Sequence, residues 1–174
     1  MIDIARPEAA EYSPFFAGYV GRVPESDVLA ALEAQPAVLA AVAGRVPADR
    51  VDYRYAPDKW SVREIVSHMI DGDRVFGYRL FCVSRGESSA LPGFDENDYV
   101  KAGRPTLDRL PALVREFAAV REANLIVARR LDADAWARIG TANDTPISAR
   151  ALAFIMVGHV RHHLAVLAER YGAA

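Results

Sequence analysis

The sequence predicts an all-α fold, a four-helix bundle whose helices are joined by long connections. Four segments of roughly twenty residues carry apolar side chains at helical spacing, and no segment shows the convincing alternation of a β-strand. Residues that cap helices precede or follow several of these segments. With 174 residues and 52% hydrophobic content, the chain suits one domain spanning residues 1–174, large enough to bury a full core.

The first two helices are predicted from their caps and their apolar spacing. The first spans about 26–45, between a Ser/Asp start and a Gly stop, and contains Pro36, where we expect a kink or a break. The second spans about 61–85 and begins with a capping box formed by Ser61 and Glu64. This capping box is the clearest helix start in the chain.

The last two helices have less regular beginnings. The third begins near Thr106 and continues to about Leu131, although Pro111 fits better if the first turn starts only just before it. The fourth begins after Ser148, which suits an N-cap, and ends before Gly172, which suits a C-terminal stop. Four such helices favour a bundle.

The connections are long for a compact bundle. About twenty residues without apolar periodicity, "SRGESSALPGFDENDYVKAGRP", separate the second helix from the third. A connection of that length is usually functional or disordered. The N-terminal segment "EYSPFFAGYV" is rich in aromatic residues, so we expect it to pack over one end of the bundle.

Charge and composition exclude several classes of function. The net charge is −2 and no basic run exceeds two residues, so we expect no nucleic-acid partner. The start of the chain lacks the apolar stretch of a signal peptide, and the longest apolar run, 151–157, is too short to span a bilayer. We therefore expect a cytoplasmic protein without a membrane partner. Cys82 is alone, which excludes an internal disulfide and a cysteine-rich zinc site.

Three of the four histidines lie within five positions of the last helix. On a helical wheel His159 and His163 straddle the inward face, whereas His162 lies at its border. A single inward imidazole is commonly a core residue bonded to a backbone carbonyl, but two of them one turn apart suggest a shared partner such as a metal. His68 lies on the flank of the apolar face of the second helix, with Gly72 one turn later. Glycine in mid-helix costs about 1 kcal/mol relative to alanine, so we expect that something occupies the space beside it.

Four stretches together resemble one family in the same order along nearly the whole chain. They are "EYSPFFAGYV", "KWSVREIVSHMIDGD", "PGFDENDYV" and "GTANDTPISARALAFIMVGHVRHHLAVLAERY". They resemble the DinB-like superfamily, in the branch that contains YfiT-type metal-dependent hydrolases. The resemblance implies a four-helix bundle, often a homodimer, with one divalent metal ion such as nickel or zinc. The ligand positions that it implies are His68, His159 and His163, and His162 matches no ligand.

The resemblance implies two enzymatic functions. Three neutral imidazoles on a divalent cation leave a coordination position open for water, hydroxide or a thiolate. In one reading the protein transfers a low-molecular-weight thiol of the bacillithiol, mycothiol or glutathione type to an electrophilic substrate; in the other it is a hydrolase. The sequence has no glutamate in a HExxH arrangement to act as general base, which favours thiol transfer. A non-catalytic metal-binding protein of the stress response is the third alternative.

Several residues near the histidines have open roles. Asp71, three residues after His68, is the nearest carboxylate that could orient an imidazole, although it points partly away, and Glu169 is expected to be a solvated charge. The acidic stretch 95–99 either borders the site or forms a capped, hydrogen-bonded loop. Trp60 and Trp136 are expected to be core anchors. Cys82 lies about 21 Å of helix rise from His68 and should not reach a metal there.

Overall fold

The computed structural model describes residues 4–173, which form helices and one β-hairpin. Short 3-10 turns at Ala9–Glu11, Pro14–Phe16, Ala48–Arg50 and Pro105–Leu107 lie between the longer elements. In chain order these elements are α1 (Ala17–Val20), α2 (Val28–Arg45), α3 (Val62–Ser84), α4 (Glu96–Gly103), α5 (Leu110–Ala128), α6 (Ala133–Ala137), β1 (Ile139–Ala142), β2 (Thr145–Ser148) and α7 (Ala149–Tyr171).

The four long helices α2, α3, α5 and α7 form the bundle. Helix α3 packs against both α5 and α7, and α2 packs against the same two helices. Every residue from 151 to 160 of α7 is buried, so this helix is enclosed on all sides over its first half. The predicted all-α four-helix bundle is therefore confirmed, with α7 as its most deeply buried member.

Helices α3 and α7, which carry the histidines, begin as the sequence predicts. Ser61 accepts a hydrogen bond from the backbone N–H of Glu64, whose side chain accepts in turn from the N–H of Ser61. Ser148 accepts from the N–H of Ala151 and so caps α7. Gly172 ends α7 in the left-handed conformation, with φ of 67°. These caps fix the ends of the two helices and hence the position of each histidine along them.

Pro36 does not break α2, so of the kink or break expected there, the break is not found. In a regular helix the residue at this position would donate to the carbonyl of Leu32, four residues earlier. That carbonyl instead accepts a hydrogen bond from Nη1 of Arg121 on α5 at 3.3 Å. The helix continues from Val28 to Arg45 while one of its carbonyls is available to a buried side chain.

A buried ion pair connects the long helices at the centre of the bundle. Arg121 is fully buried and donates to both carboxylate oxygens of Asp73 on α3, at 2.6 and 3.0 Å. Its Nη1 also donates to Gln35 of α2 at 2.6 Å, and Gln35 donates to the carbonyl of Val157 on α7 at 2.8 Å. Because each charge and amide has a partner, the network satisfies polar groups that would otherwise be costly inside the bundle.

Two predicted boundaries and several short elements differ from the sequence-based expectations. The third helix begins at Leu110 and ends at Ala128; Thr106 lies instead in a 3-10 turn, and Pro111 occupies the first turn of α5, where proline is tolerated. The sequence did not indicate α1, α4, α6 or the hairpin. The hairpin turn at Asn143 and Asp144 has φ of 50° and 58°, the left-handed pair of a tight two-residue turn.

The N-terminal aromatic segment packs over the bundle, as expected. Helix α1 lies directly against α7 at Gly158, where a Cβ atom would collide with the backbone carbonyl of Tyr19. Phe16 contacts Phe76 of α3, with ring centroids 6.0 Å apart. The close approach at Gly158 places the aromatic side chains of this segment above the histidines.

Helices α2 and α7 are long and apolar enough to cross a membrane by length and composition alone. Core helices of a bundle meet the same criterion, and 67% of the α7 window is buried against the rest of the chain. This criterion therefore assigns no membrane location, and the cytoplasmic location stays a prediction.

Replacing Asp73 with Asn should destabilise the protein strongly, because Arg121 would keep a buried charge without an opposite charge. We expect the free energy of unfolding, measured by urea denaturation, to fall by about 3–5 kcal/mol. Glu116→Gln is the matched control, since it removes the partner of the exposed Arg74 and should cost less than about 1 kcal/mol. Equal losses in the two variants would contradict the structural role assigned to the buried pair.

Candidate metal centre

Three imidazoles meet between α3 and α7. Nε2 of His159 lies 2.8 Å from Nε2 of His68 and 3.2 Å from Nε2 of His163. All three side chains are buried, and one ligand atom from each lies within 4.8 Å of the others. The same nitrogen of each ring therefore faces a common point, which is an arrangement that could hold one metal ion.

The two helices bring these rings together because of one glycine. His159 and His163 project one turn apart from the same face of α7. On α3, a Cβ atom at Gly72 would lie 2.7 Å from Cε1 and 3.1 Å from Nδ1 of His159. The glycine one turn after His68 thus leaves the space that His159 occupies, which is the reason expected for its place in mid-helix.

Burial keeps the imidazoles uncharged. Desolvation lowers the pKa of His68 to about 4, with a smaller contribution from the charge of His162. Desolvation and then the neighbouring histidines lower the pKa values of His159 and His163 well below the usual range. At neutral pH the three rings are therefore neutral, the state in which an imidazole nitrogen binds a metal. Three neutral nitrogens facing one another fit a divalent metal cation.

The outer nitrogen of His68 has no hydrogen-bond partner. This atom, Nδ1, is buried and forms no hydrogen bond with any group of residues 4–173. Asp71, the candidate for orienting this ring, makes no such bond; burial and then the charge of Glu116 raise the pKa of its carboxyl group. The suggested orienting role of Asp71 is therefore not found. Glu169 is exposed, as expected of a solvated charge.

A pocket of about 380 Å³ opens beside the three histidines. Its walls are mostly aromatic, and they combine the N-terminal segment, α3, the loop before α4, the hairpin and α7. The lining residues are Ser13, Phe15, Phe16, Tyr19, Trp60, His68, Phe76, Arg79, Gly93, Phe94, Glu96, Asn143, Thr145, His159, His162 and His163. A cleft that combines aromatic walls with several polar groups is typical of a small-molecule site.

The two tryptophans differ from each other in position. Trp136 is buried in the core, 4% exposed, as the sequence predicts. Trp60 is only partly buried; its ring lies 4.6 Å from that of His68 and it lines the pocket. Trp60 packs against the core, as predicted, and it also lines the pocket, because the residue before the Ser61 cap stands at the end of α3 nearest to the histidines.

The acidic stretch 95–99 does both things that the sequence left open: it caps a helix and it borders the pocket. The side chain of Asp95 accepts hydrogen bonds from the N–H groups of Asn97 and Asp98 and so caps α4. Glu96, in the first turn of that helix, lines the pocket. One carboxylate of the stretch therefore reaches the site while another fixes the helix that carries it.

His162 lies outside the cluster of three but borders the pocket. Its ring is half-buried, 4.9 Å from His163 and 5.5 Å from Tyr19 between centroids. This is the border position that the helical wheel predicts. Cys82 is buried among core residues away from the pocket.

Sequence reasoning missed Arg79 and the hairpin residues Asn143 and Thr145 as pocket residues. Arg79 follows Gly72 and Phe76 at helical spacing on the face of α3 that carries His68, so a charged residue in that inward series was the available signal. No comparable signal marks the hairpin, because its position over the site depends on tertiary packing.

The fold and the site define a four-helix bundle with a buried three-histidine cluster under an aromatic pocket. The family model of the DinB superfamily matches residues 31–167, and the chain belongs to this superfamily. The fold is similar to that of YfiT from Bacillus subtilis, described as a probable metal-dependent hydrolase with an unusual four-helix bundle topology. The two structures align with a TM-score of 0.75 and 18% identity over 97% of this chain and 94% of YfiT. No curated protein matches the chain.

Replacing Gly72 with Ala should weaken metal binding, because the added methyl group would push His159 away from the other two rings. We expect the dissociation constant for zinc, measured by competition with a chromophoric chelator, to rise by about 10–100-fold. Gly44→Ala is the control: no atom lies within 4 Å of its Cβ position, so it should leave zinc affinity unchanged. Unchanged affinity in Gly72→Ala would show that His159 is not positioned by this contact.

Proposed function

We propose that this protein is a metal-dependent enzyme that transfers a low-molecular-weight thiol to an electrophilic substrate. The observation that carries the proposal is the convergence of the three buried Nε2 atoms of His68, His159 and His163 at the inner end of a pocket open to small molecules. These three residues would hold one nickel or zinc ion. A bound divalent cation with an open position lowers the pKa of a thiol, so that the sulfur is nucleophilic at neutral pH.

The aromatic walls of the pocket bind the reactants and exclude water. Trp60 covers His68, and Tyr19 and Phe76 contact the ring of His159 edge-on, with centroids 5.5 and 5.6 Å away. Aromatic walls of this kind reduce the contact of the reacting groups with water, which strengthens electrostatic interactions there and limits competing hydrolysis. The thiol and the electrophile would therefore meet in a site with few water molecules.

The reaction itself requires no oxidant. A sulfur–carbon bond forms, the proton of the thiol passes to solvent, and a leaving group departs with the electron pair of its bond to carbon. If the electrophile is a polarised double bond, no group leaves, and the carbon that receives the electron pair takes up a proton from solvent.

Hydrolysis is the second candidate, and Glu96 is the observation that favours it. A carboxylate at the pocket could accept a proton from water in the role that the sequence left without a candidate. The fold is also similar to that of YfiT, a probable metal-dependent hydrolase. The two functions differ in their need for this carboxylate, since thiol transfer through a lowered thiol pKa does not require it.

The proposed transfer can be tested with zinc- or nickel-loaded protein, bacterial thiols and chlorodinitrobenzene, whose thioether product absorbs in the near ultraviolet. We expect the protein to accelerate the reaction with at least one of bacillithiol, mycothiol and glutathione. The acceleration should fall to the uncatalysed rate after chelation and in His159→Ala. Glu96→Gln should keep most of it, because the carboxylate has no part in this reaction.

The contrary outcomes separate the alternatives. If no thiol reacts faster, while hydrolysis of nitrophenyl acetate is accelerated and is lost in both His159→Ala and Glu96→Gln, the protein is a hydrolase. If neither reaction is accelerated by protein that holds its metal, the non-catalytic metal-binding function replaces both.

A further inference from the structure

Arg79 places a positive charge in the pocket without an opposite charge beside it. The side chain is 3% exposed, yet it lines the pocket. Nη2 donates to the carbonyl of Pro92 at 2.7 Å, and no carboxylate of residues 4–173 forms an ion pair with the guanidinium. The other deeply buried arginine, Arg121, has both oxygens of Asp73 as partners. Arg79 is therefore a buried cation that faces a cavity instead of a counter-ion.

The charges around Arg79 support this description. Burial alone lowers the pKa of Arg79, without a contribution from any neighbouring charge. An arginine nevertheless keeps its proton at neutral pH. Glu96 also lines the pocket, but its charge acts on Tyr19, whose pKa it helps to raise after desolvation. A buried charge without a partner is costly, and a bound anion would offset that cost.

We propose that Arg79 binds a carboxylate group of the small ligand that enters the pocket. The assignment of that ligand as substrate rests on the proposed function, whereas the binding of the carboxylate does not. A carboxylate fits better than a phosphate dianion, because the one positive charge of the guanidinium balances one negative charge, while its N–H groups other than the one bonded to Pro92 can donate to it.

The distance along α3 indicates the shape of the ligand. Arg79 follows His68 by eleven residues, about 16 Å of helix rise, and its side chain tilts back toward the start of the helix. Phe76 lies between them along α3, and its ring contacts that of Phe16, which also lines the pocket. The ligand would thus carry its carboxylate at one end, an apolar body against these rings, and its reacting atom at the histidines.

Arg79 also holds the loop before α4 in place through its hydrogen bond to the carbonyl of Pro92. This structural role is the alternative explanation for a buried arginine at position 79. Glutamine could donate the same hydrogen bond, and lysine could donate it while keeping the charge. If Arg79 only supports the loop, its charge should not affect ligand affinity. If Arg79 binds a carboxylate, removing the charge should weaken the binding of that ligand.

The test compares a carboxylate with the amide of the same shape. Phenylbutyrate and phenylbutyramide probe the electrophile side, and mercaptopropionate and mercaptopropionamide probe the thiol side, by calorimetry on metal-loaded and metal-free protein. We expect wild-type protein to bind the carboxylate of at least one pair about tenfold more tightly than the amide. Arg79→Gln should reduce the ratio to about one, and Arg79→Lys should retain part of it. Arg74→Gln, an exposed arginine of the same helix, should leave the ratio unchanged.

The outcomes show which reactant carries the carboxylate and whether Arg79 binds it. A preference only in the phenylbutyrate pair assigns the carboxylate to the electrophile, and a preference only in the mercaptopropionate pair assigns it to the thiol. Equal affinity of wild-type protein for both members of each pair, including no binding at millimolar concentration, overturns the proposal even if Arg79→Gln fails to fold. A ratio retained in Arg79→Gln overturns it as well. Since binding is measured without turnover, a failed thiol-transfer assay leaves this result standing.

Discussion

The structure depends on a constraint at one point, where three imidazole nitrogens face one another inside a water-poor bundle. Burial keeps the rings of His68, His159 and His163 neutral, because a protonated imidazole there would lose its hydration and face its neighbours. Neutral rings in turn present lone pairs or N–H groups to the same small volume. A cation bound at that volume would satisfy all three at once, whereas hydrogen bonds among three rings can satisfy only some of them.

The rest of the bundle holds α3 and α7 at the separation that this point requires. Gly72 lets His159 lie against α3, and Gly158 lets the N-terminal segment lie against α7. Glycines therefore allow close packing on two sides of α7. The Arg121–Asp73 pair connects α5 to α3, and Gln35 extends the connection to α7. Polar groups with fixed partners thereby set the relative positions of helices that apolar packing alone would leave freer to slide.

The sequence predicted the parts that depend on local order. Caps such as Ser61 and Ser148 act within one turn, and the spacing of His159 and His163 on one face follows from helix geometry. The sequence therefore predicted both the helix starts and the pairing of these two histidines. The position of Glu96, the exposure of Trp60 to the pocket and the approach of the hairpin depend on how distant segments pack. Pro36 shows the same limit: the carbonyl of Leu32, which a proline at this position leaves without its helical donor, accepts from Arg121, a residue far away in the chain.

The measurement that tests this account most directly is the metal content of the purified protein and of its four histidine variants, determined by elemental analysis after dialysis against one divalent metal. The account expects one ion per chain in the wild type, and loss of that ion in His68→Ala, His159→Ala and His163→Ala. His162→Ala should hold the wild-type amount, because its ring lies outside the three that converge. Loss of the ion in His162→Ala, or its retention in any of the other three variants, would contradict the central claim.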